Sequence, residues 1–566
     1  MKKKVIPAII IIVLIFVFAG IFVGQQFLKK YSYSEERADL DSYFGITSDT
    51  DVPIVLGNEI IEERAKLLDG TYYMDFASVQ KYLNERFYYG IEDSLLIYTT
   101  PTAIITSEVG TSSYHDSTGD SGEEAYVISR LEGETLYVAL DYVKKYTNFF
   151  YEGFTEPNHL QLTTSWEDET VATIAKDTQL RHRGGVKSEI LEDLKKDETV
   201  VVLEELDNWT KVKSADSIIG YVENKKLKDI TTKSPIPVTD YQEPEYTSLT
   251  RDHLINMGYH AIYAVSGNDT INDVLASTSS INVLCPKWFA LTSSEGSIEN
   301  LSSSSYVKKA HDQGIEVWAL FNNIDGGDVS TSDMLRSAAN RAATIENVIA
   351  ATTAVGADGL NLDFELIQSS DGQSFIEFVR ELSIACRAEG LVFSIDNYVP
   401  MDFNDHYDLK EQGVVADYVV IMGYDEHYSG SSEAGSVASL GYVENGIIKA
   451  AEDVDPSKII NAVPFYTRIW RTKGSELSCE TVSMKMAKDF IANNSMEMTW
   501  DASAGQNYGE FTTDDGTYTQ LWMEDAVSLS QKIDSMKAHN VAGIAEWCLG
   551  METPDVWDVI SGYIGG

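Results

Sequence analysis

Cysteine is scarce in this chain. Four residues in 566, Cys285, Cys386, Cys479 and Cys548, are too few and too scattered for a disulfide framework and read as buried thiols. Basic residues are outnumbered, 43 against 88 acids, giving a formal charge of −45. That balance excludes nucleic acid and anionic lipid as natural partners and suits a soluble face outside the cell. No His/Cys/Asp grouping has metal-ligand spacing, no G-x-S-x-G elbow occurs, and no glycine-rich phosphate loop is present. No metal and no cofactor is therefore expected. Proline, 12 residues in all, is thin except in 231–250, where Pro235, Pro237 and Pro244 mark a semi-rigid linker.

What is present begins with one long apolar run. Lys2-Lys3-Lys4 precedes about 20 apolar residues, Val5 to Gly24, and Lys29-Lys30 follow. That length spans a bilayer core, and the basic start marks the cytoplasmic side. Residues 1–30 are thus expected to be a cytoplasmic tip and single transmembrane anchor, with everything downstream outside the cell. The alternative is a cleaved signal peptide and a secreted protein, but the run is long and no convincing small-x-small site follows.

A chain of 566 residues holds three or four domains. Residues 71–100 and 135–164 repeat at an offset of 64: Tyr73, Val79, Lys81 and Tyr82 recur as Tyr137, Val143, Lys145 and Tyr146. Each copy reads strand, short helix, strand, within an α+β stalk domain at 44–166. Residues 172–230 alternate like short β-strands around Trp209 and Gly220-Tyr221-Val222, and 251–566 form the largest unit.

The decisive stretch lies in that unit. Asp358-Gly359-Leu360-Asn361-Leu362-Asp363-Phe364-Glu365 alternates apolar and polar residues, the period of a strand with an amide and two carboxylates on one face. Such charges are costly on an inner face unless they are hydrogen-bonded or do chemistry. Strand-like segments alternate with helical ones at 259–265, 281–285, 315–321, 357–364, 391–397, 417–424, 458–465 and 541–547. This pattern predicts an α/β fold, a (β/α)8 TIM barrel, in which polar residues at the carboxyl end of a strand are the chemical ones. About 75 residues separate the last two strands and include Trp470, Trp500, Tyr508 and Trp522, predicting a small α+β insertion.

The DG-x-x-x-D-x-E string resembles the active-site signature of family 18 glycoside hydrolases. Ile421-Met422-Gly423-Tyr424-Asp425 resembles that family's M-x-Y-D motif, and Ala545-Glu546-Trp547 ends the eighth strand where the family has a tryptophan. The stalk repeat resembles the small domains named after the amino terminus of copper amine oxidases, and 172–230 resembles a bacterial SH3-like β-barrel. Neither likeness implies a metal ligand. The family 18 resemblance implies a retaining, substrate-assisted reaction, in which the sugar's acetamido oxygen attacks the anomeric carbon. Glu365 would be the acid/base, Asp363 would hold the acetamido N–H, and Tyr424 would donate to the acetamido oxygen. Asn361 stands where many chitinases carry a third aspartate and matches a subgroup of bacterial spore-cortex and cell-wall N-acetylglucosaminidases. Asn256 to His260, Pro286 to Phe289 and Asn322-Asn323 resemble the same subgroup.

The remaining substrate-binding candidates are Asp358, Met422, Asp425, Trp547, His260, Asn322 and Tyr466. Trp547 reads as a sugar platform rather than barrel packing. Asp425 is a cleft residue or a structural hydrogen-bond acceptor, and His260 a cleft residue or a satisfied core histidine. The expected partner is a glycan of β-1,4-linked N-acetylglucosamine, foremost peptidoglycan. Chitin or N-glycans are the enzymatic alternatives, and a non-catalytic wall-binding or scaffold protein the alternative of another class.

Overall fold

The structure, a computed structural model, describes residues 5–237, 239 and 241–565; Lys2-Lys3-Lys4 lie outside the described residues. The chain divides into two compact units, one of Met1–Phe87, Val109–Ser113 and Glu123–Glu243, the other of Tyr88–Glu108, Tyr114–Gly122 and Pro244–Gly566.

In the first unit a helix runs Val5–Tyr31, and its 22-residue part Ile10–Tyr31 has a mean hydropathy of 2.5, long and apolar enough to cross a membrane. Two strand–helix–strand runs begin 64 residues apart, at Thr71 and Thr135. Thr71–Asp75, helix Phe76–Tyr82 and Phe87–Gly90 correspond to Thr135–Ala139, helix Leu140–Val143 and Phe150–Thr155. The first strands of the two copies pair antiparallel, Tyr137 opposite Asp75, in a seven-stranded sheet. A second seven-stranded sheet is built from seven strands between Glu169 and Lys233, paired antiparallel over a core that includes Ala172, Leu180, Val212 and Val222.

The second unit is built on eight parallel strands: β1 Ile255–His260, β2 Val283–Leu291, β3 Glu316–Asn322, β4 Gly359–Asp363, β5 Val392–Tyr398, β6 Tyr418–Met422, β7 Ile459–Pro464 and β8 Gly543–Trp547. β1 pairs with both β2 and β8, so the sheet closes on itself. Most of these strands are buried along their whole length, as strands covered on both faces must be. Alternate residues divide between two cores. Met257, Tyr259, Trp318, Val420 and Ala545 fill the interior, while Leu360, Leu362, Ile421 and Ile544 meet the surrounding helices. The first strand lies four residues earlier than expected. Its inward residues are Ile255, Met257 and Tyr259, and the chain leaves the sheet after His260. The second runs six residues beyond its expected end at 285.

Between β7 and β8 sits the insertion. Its five-stranded antiparallel sheet comprises Tyr466–Lys473, Glu476–Ser483, Met498–Asp501, Gln506–Thr512 and Tyr518–Met523, with helix Met484–Asn493. Trp470 is buried within it, Tyr508 packs on Trp522 at 4.7 Å, and Trp500 is exposed.

Residues 88–108 and 114–122, expected within the stalk, belong with the barrel unit. Asp93 Oδ2 accepts a 2.6 Å bond from the Ala338 amide at the start of helix Ala338–Val355, where the helix dipole favours an anion. The Tyr88 hydroxyl lies 2.9 Å from Ser374 Oγ, and the Arg341 guanidinium covers the Tyr88 ring. Arg341 is itself fully buried and paired in two bonds, 2.8 and 3.0 Å, with Glu381 on helix Gly372–Ala388. Removing one partner of such a pair leaves an uncompensated buried charge. Arg341→Met should therefore destabilise the unit by about 3–5 kcal/mol, read as a lowered midpoint in urea unfolding.

Candidate active site

The site forms at the carboxyl ends of the barrel strands. Asn361 and Asp363 point inward from β4, and Glu365 follows two residues beyond Asp363 as the chain turns out of the sheet. The turn is enforced by the neighbouring strand end. Asn323 Oδ1 accepts the Glu365 N–H at 2.9 Å, and Asn323 Nδ2 donates to the Glu365 carbonyl at 2.9 Å. Leu366 follows in the left-handed region, φ 57°, a conformation costly for a branched side chain and held here by its surroundings. The Glu365 backbone is thus clamped to the loop after β3, and the Tyr398 hydroxyl donates to Oε2 at 2.7 Å.

Burial raises the Glu365 carboxyl above its ordinary range, the Tyr398 bond opposes that rise, and the charges of Asp425 and Asp325 add to it. Asp363 is buried and pushed well up, first by burial and then by Asp396, Glu365 and Asp325, with Lys287 opposing. Its Oδ1 has no hydrogen-bond partner among the described residues. Asn361 Nδ2 donates to Asp396 Oδ1 at 2.9 Å and to Ser394 Oγ at 3.0 Å, and the Tyr259 hydroxyl donates to Asp396 Oδ1 at 2.7 Å. Burial lifts Asp396 to about 7, against the bonds from Asn361 and Tyr259. The phenol of Tyr424 is raised by burial and then by Asp396, Tyr466, Asp363 and Glu365, and its ring lies 6.3 Å from that of Tyr466.

Two residues of this cluster escaped the sequence reading, Asp396 and Tyr398. Both lie on β5, whose stretch 390–397 reads as apolar. Val392, Ser394, Asp396 and Tyr398 occupy its inward parity, and that polar alternation was the available signal.

Several expected residues line the same floor. Met422 shares the inward parity of Tyr418 and Val420 on β6, and Trp547 ends β8 with its ring 5.4 Å from that of Tyr259. Asp425, in the left-handed region at φ 58°, accepts bonds of 2.6 Å from the Tyr466 hydroxyl and 2.7 Å from Arg468. Its side chain nevertheless remains 45% exposed, so the Tyr466–Asp425–Arg468 chain both fixes the loop after β6 and faces solvent. Beside the floor is a cavity of about 130 Å³, lined by Tyr263, Lys287, Trp288, Asn322 and Asp325 among others. Lys287 Nζ pairs there with Asp325 at 2.8 Å and lies 3.9 Å from the Tyr263 ring centroid.

Three further candidates have their polar atoms bonded within the fold. His260 is buried, with its ring nitrogens 2.9 Å from the Tyr306 hydroxyl and 3.0 Å from Thr270 Oγ1, and burial lowers it to about 4. It has the outward parity of β1, toward helix Ser304–His311, and Tyr259 takes the inward place. Asn322 uses its Oδ1 to accept the Ile324 and Asp325 amides and its Nδ2 to bond the Phe289 carbonyl, shaping a turn. Asp358 precedes β4, at the opposite end of the barrel from Glu365, and accepts from His311 and the Val317 amide.

A half-buried acid held by a phenol, beside a second, buried carboxyl on the inner face of the barrel, is suited to delivering and recovering one proton. Among the described residues no group of three or more His, Cys, Asp or Glu could hold a metal ion.

Comparison with known proteins agrees with this geometry. The chain is 23% identical over 277 residues to a cortical fragment-lytic enzyme of Bacillus anthracis, covering 47% of this chain and 64% of that protein. It is 26% identical over 307 residues to a putative sporulation-specific glycosylase of Bacillus subtilis, covering 51% and 70%. The crystal structure of the Bacillus cereus spore cortex-lytic enzyme has the same fold, with a TM-score of 0.51, 22% identity, and coverage of 59% of this chain and 79% of that one. A chitinase from Chromobacterium violaceum superposes with a TM-score of 0.50 and 22% identity, over 55% and 99%. Residues 217–552 match the model of the glycosyl hydrolases family 18, which is more than half of the sequence: the chain belongs to that family.

Proposed function

We propose that the protein is a retaining glycoside hydrolase acting on β-1,4-linked N-acetylglucosamine polymers, foremost peptidoglycan, with Glu365 as its acid/base. The observation that carries this reading is the pairing of Glu365, raised by burial and clamped in place by Asn323 and Tyr398, with the buried Asp363 two residues before it. Glu365 protonates the leaving glycosidic oxygen and then takes a proton from the incoming water. Asp363, aided by Tyr424, holds the sugar's acetamido group so that its oxygen attacks the anomeric carbon, and the product keeps its configuration. Trp547 and Met422 form the floor on which the sugar rests.

Peptidoglycan is preferred because two relatives are a cortical fragment-lytic enzyme and a putative sporulation-specific glycosylase. A wall substrate is also within reach of a tethered enzyme. The apolar helix Ile10–Tyr31 is long enough to span a membrane, and the length of the run without a small-x-small site favours an anchor with the catalytic unit outside the cell over a secreted form. The stalk repeat and the SH3-like region would then serve as spacer and wall contact. A non-catalytic scaffold would have no use for the intact Glu365, Asp363 and Tyr424.

Glu365→Gln should lower turnover of N-acetylglucosamine oligomers by about 10²–10⁴-fold while leaving their binding nearly unchanged, measured by product mass spectrometry and calorimetry. Near-normal hydrolysis by this variant would remove Glu365 from its role. A thiazoline mimic of the cyclised intermediate should inhibit competitively, and de-N-acetylated glycan should not turn over; its cleavage at a comparable rate would point to a carboxylate nucleophile. For the anchor, the full-length chain should stay with the membrane fraction and be released from protoplasts by external protease. Recovery chiefly as a soluble form starting near residues 25–35 would show a cleaved leader.

A further inference from the structure

The Tyr398 hydroxyl sits between two partners. It accepts the Leu366 N–H at 3.3 Å and donates to Glu365 Oε2 at 2.7 Å, while Glu365 Oε1 takes no hydrogen bond among the described residues. A hydroxyl has one proton to give. Burial pushes this phenol far above its ordinary range, so the proton stays on Tyr398 and points at Oε2. The ring that carries it is fixed as well. Tyr398 ends β5, and its ring meets that of Tyr407 edge-on at 5.9 Å. The Tyr407 hydroxyl in turn accepts the Ile367 N–H at 3.1 Å. The left-handed turn at Leu366 is thus flanked by two backbone bonds to two phenols from the β5 side.

An oxygen that accepts from a phenol is the poorer place for the acid's own proton. Resting on the acid/base reading of Glu365, we propose that Tyr398 is a positioning residue that reserves Oε2 as the acceptor and so leaves the transferable proton on Oε1. In the forward step the Oε1–H bond breaks and the proton goes to the glycosidic oxygen. The bond from that oxygen to the anomeric carbon breaks as the acetamido oxygen bonds to the same carbon. The carboxylate left behind draws the Tyr398 bond tighter, because hydrogen bonds to a charged acceptor are roughly twice as strong as neutral ones. The bond strengthens as the charge develops, which favours the transition state over the resting acid. In the return step Oε1 takes a proton from water, and Tyr398 keeps its own throughout.

Glu365 is faced by Asp363 from its own strand, Asp396 and Tyr398 from β5, and Tyr407 from the turn after β5. Tyr424 and Asp425 face it from beyond β6, and Asp325 from beyond β3. Lys287 on β2 acts on Asp363. The phenols are pushed up by burial and stay neutral. Burial, Asp425 and Asp325 raise Glu365 in the wild type and in each variant alike, whereas the Tyr398 bond lowers it by favouring the ionised form.

The test uses an N-acetylglucosamine oligomer whose leaving group is a sugar, with kcat followed across pH. The alkaline limb of kcat reports the acid in the enzyme–substrate complex. Tyr398→Phe should lower kcat at its plateau by about 10–100-fold. The same change should move the alkaline limb up by about one pH unit, a shift that a merely structural role does not produce. Tyr398→3-fluorotyrosine makes a stronger donor of nearly the same shape; it should move the limb down, and it serves if Tyr398→Phe does not fold. Tyr407→Phe removes the neighbouring phenol but no bond to Glu365, and its limb should coincide with the wild type. Limbs unmoved in the folded Tyr398 variants, an unchanged plateau in Tyr398→Phe, or an equal shift in Tyr407→Phe each overturn the role of Tyr398. Loss of turnover in Glu365→Gln then shows that the acid/base reading stands without it. Near-normal turnover in Glu365→Gln overturns both.

Discussion

The interior of the second unit depends on one constraint: a barrel filled by packed side chains leaves a charge poorly solvated. Every carboxyl that enters it must be neutralised, bonded or brought to the rim. The chain does all three within a few ångströms. Asp396 takes bonds from a phenol and an amide, Asp363 is pushed far from its ordinary range, and Glu365 reaches the rim under the Tyr398 hydroxyl. Burial first, and then the charges of Asp425 and Asp325, raise the Glu365 carboxyl, the direction a general acid needs.

Crowded charges need rigid supports, and these come from neighbours on adjoining strands. Asn323 grips both backbone polar groups of Glu365, so the acid is fixed by the loop after β3 as firmly as by its own strand. The Tyr466–Asp425–Arg468 chain ties the loop after β6 to the insertion, on the side that carries Tyr424. Positions held by several hydrogen bonds from different strands suit a reaction in which small misplacements are costly.

Much of this was legible in the sequence because β4 obeys a strict period of two. Leu360, Leu362 and Phe364 betray the helix side, and the polar residues between them announce the interior. The insertion was legible from its length alone. Of the two readings open for His260, the satisfied core histidine is the one the structure has, because Tyr259 and His260 are adjacent on β1 and only one of them can face inward. Asp358 shares a motif with Glu365 yet lies at the other end of the same strand, a separation that spacing in a string does not convey. Asp396 and Tyr398 were missed because their importance arises only from pairing with β4, about 33 residues away in the chain.

The excursion at 88–108 has a consequence for biosynthesis. Asp93 and the helix amide it caps are 245 residues apart, and Tyr88 and Ser374 are 286 apart. At roughly 5–20 residues per second, the hairpin waits on the order of 12–50 s after its own synthesis before the helix capped by Asp93 exists. During that interval it has no surface to fold against, and its apolar strand Leu95–Thr99 is without a cover. The catalytic unit is discontinuous along the chain, so the nascent protein must keep an early segment unsatisfied until a late one emerges.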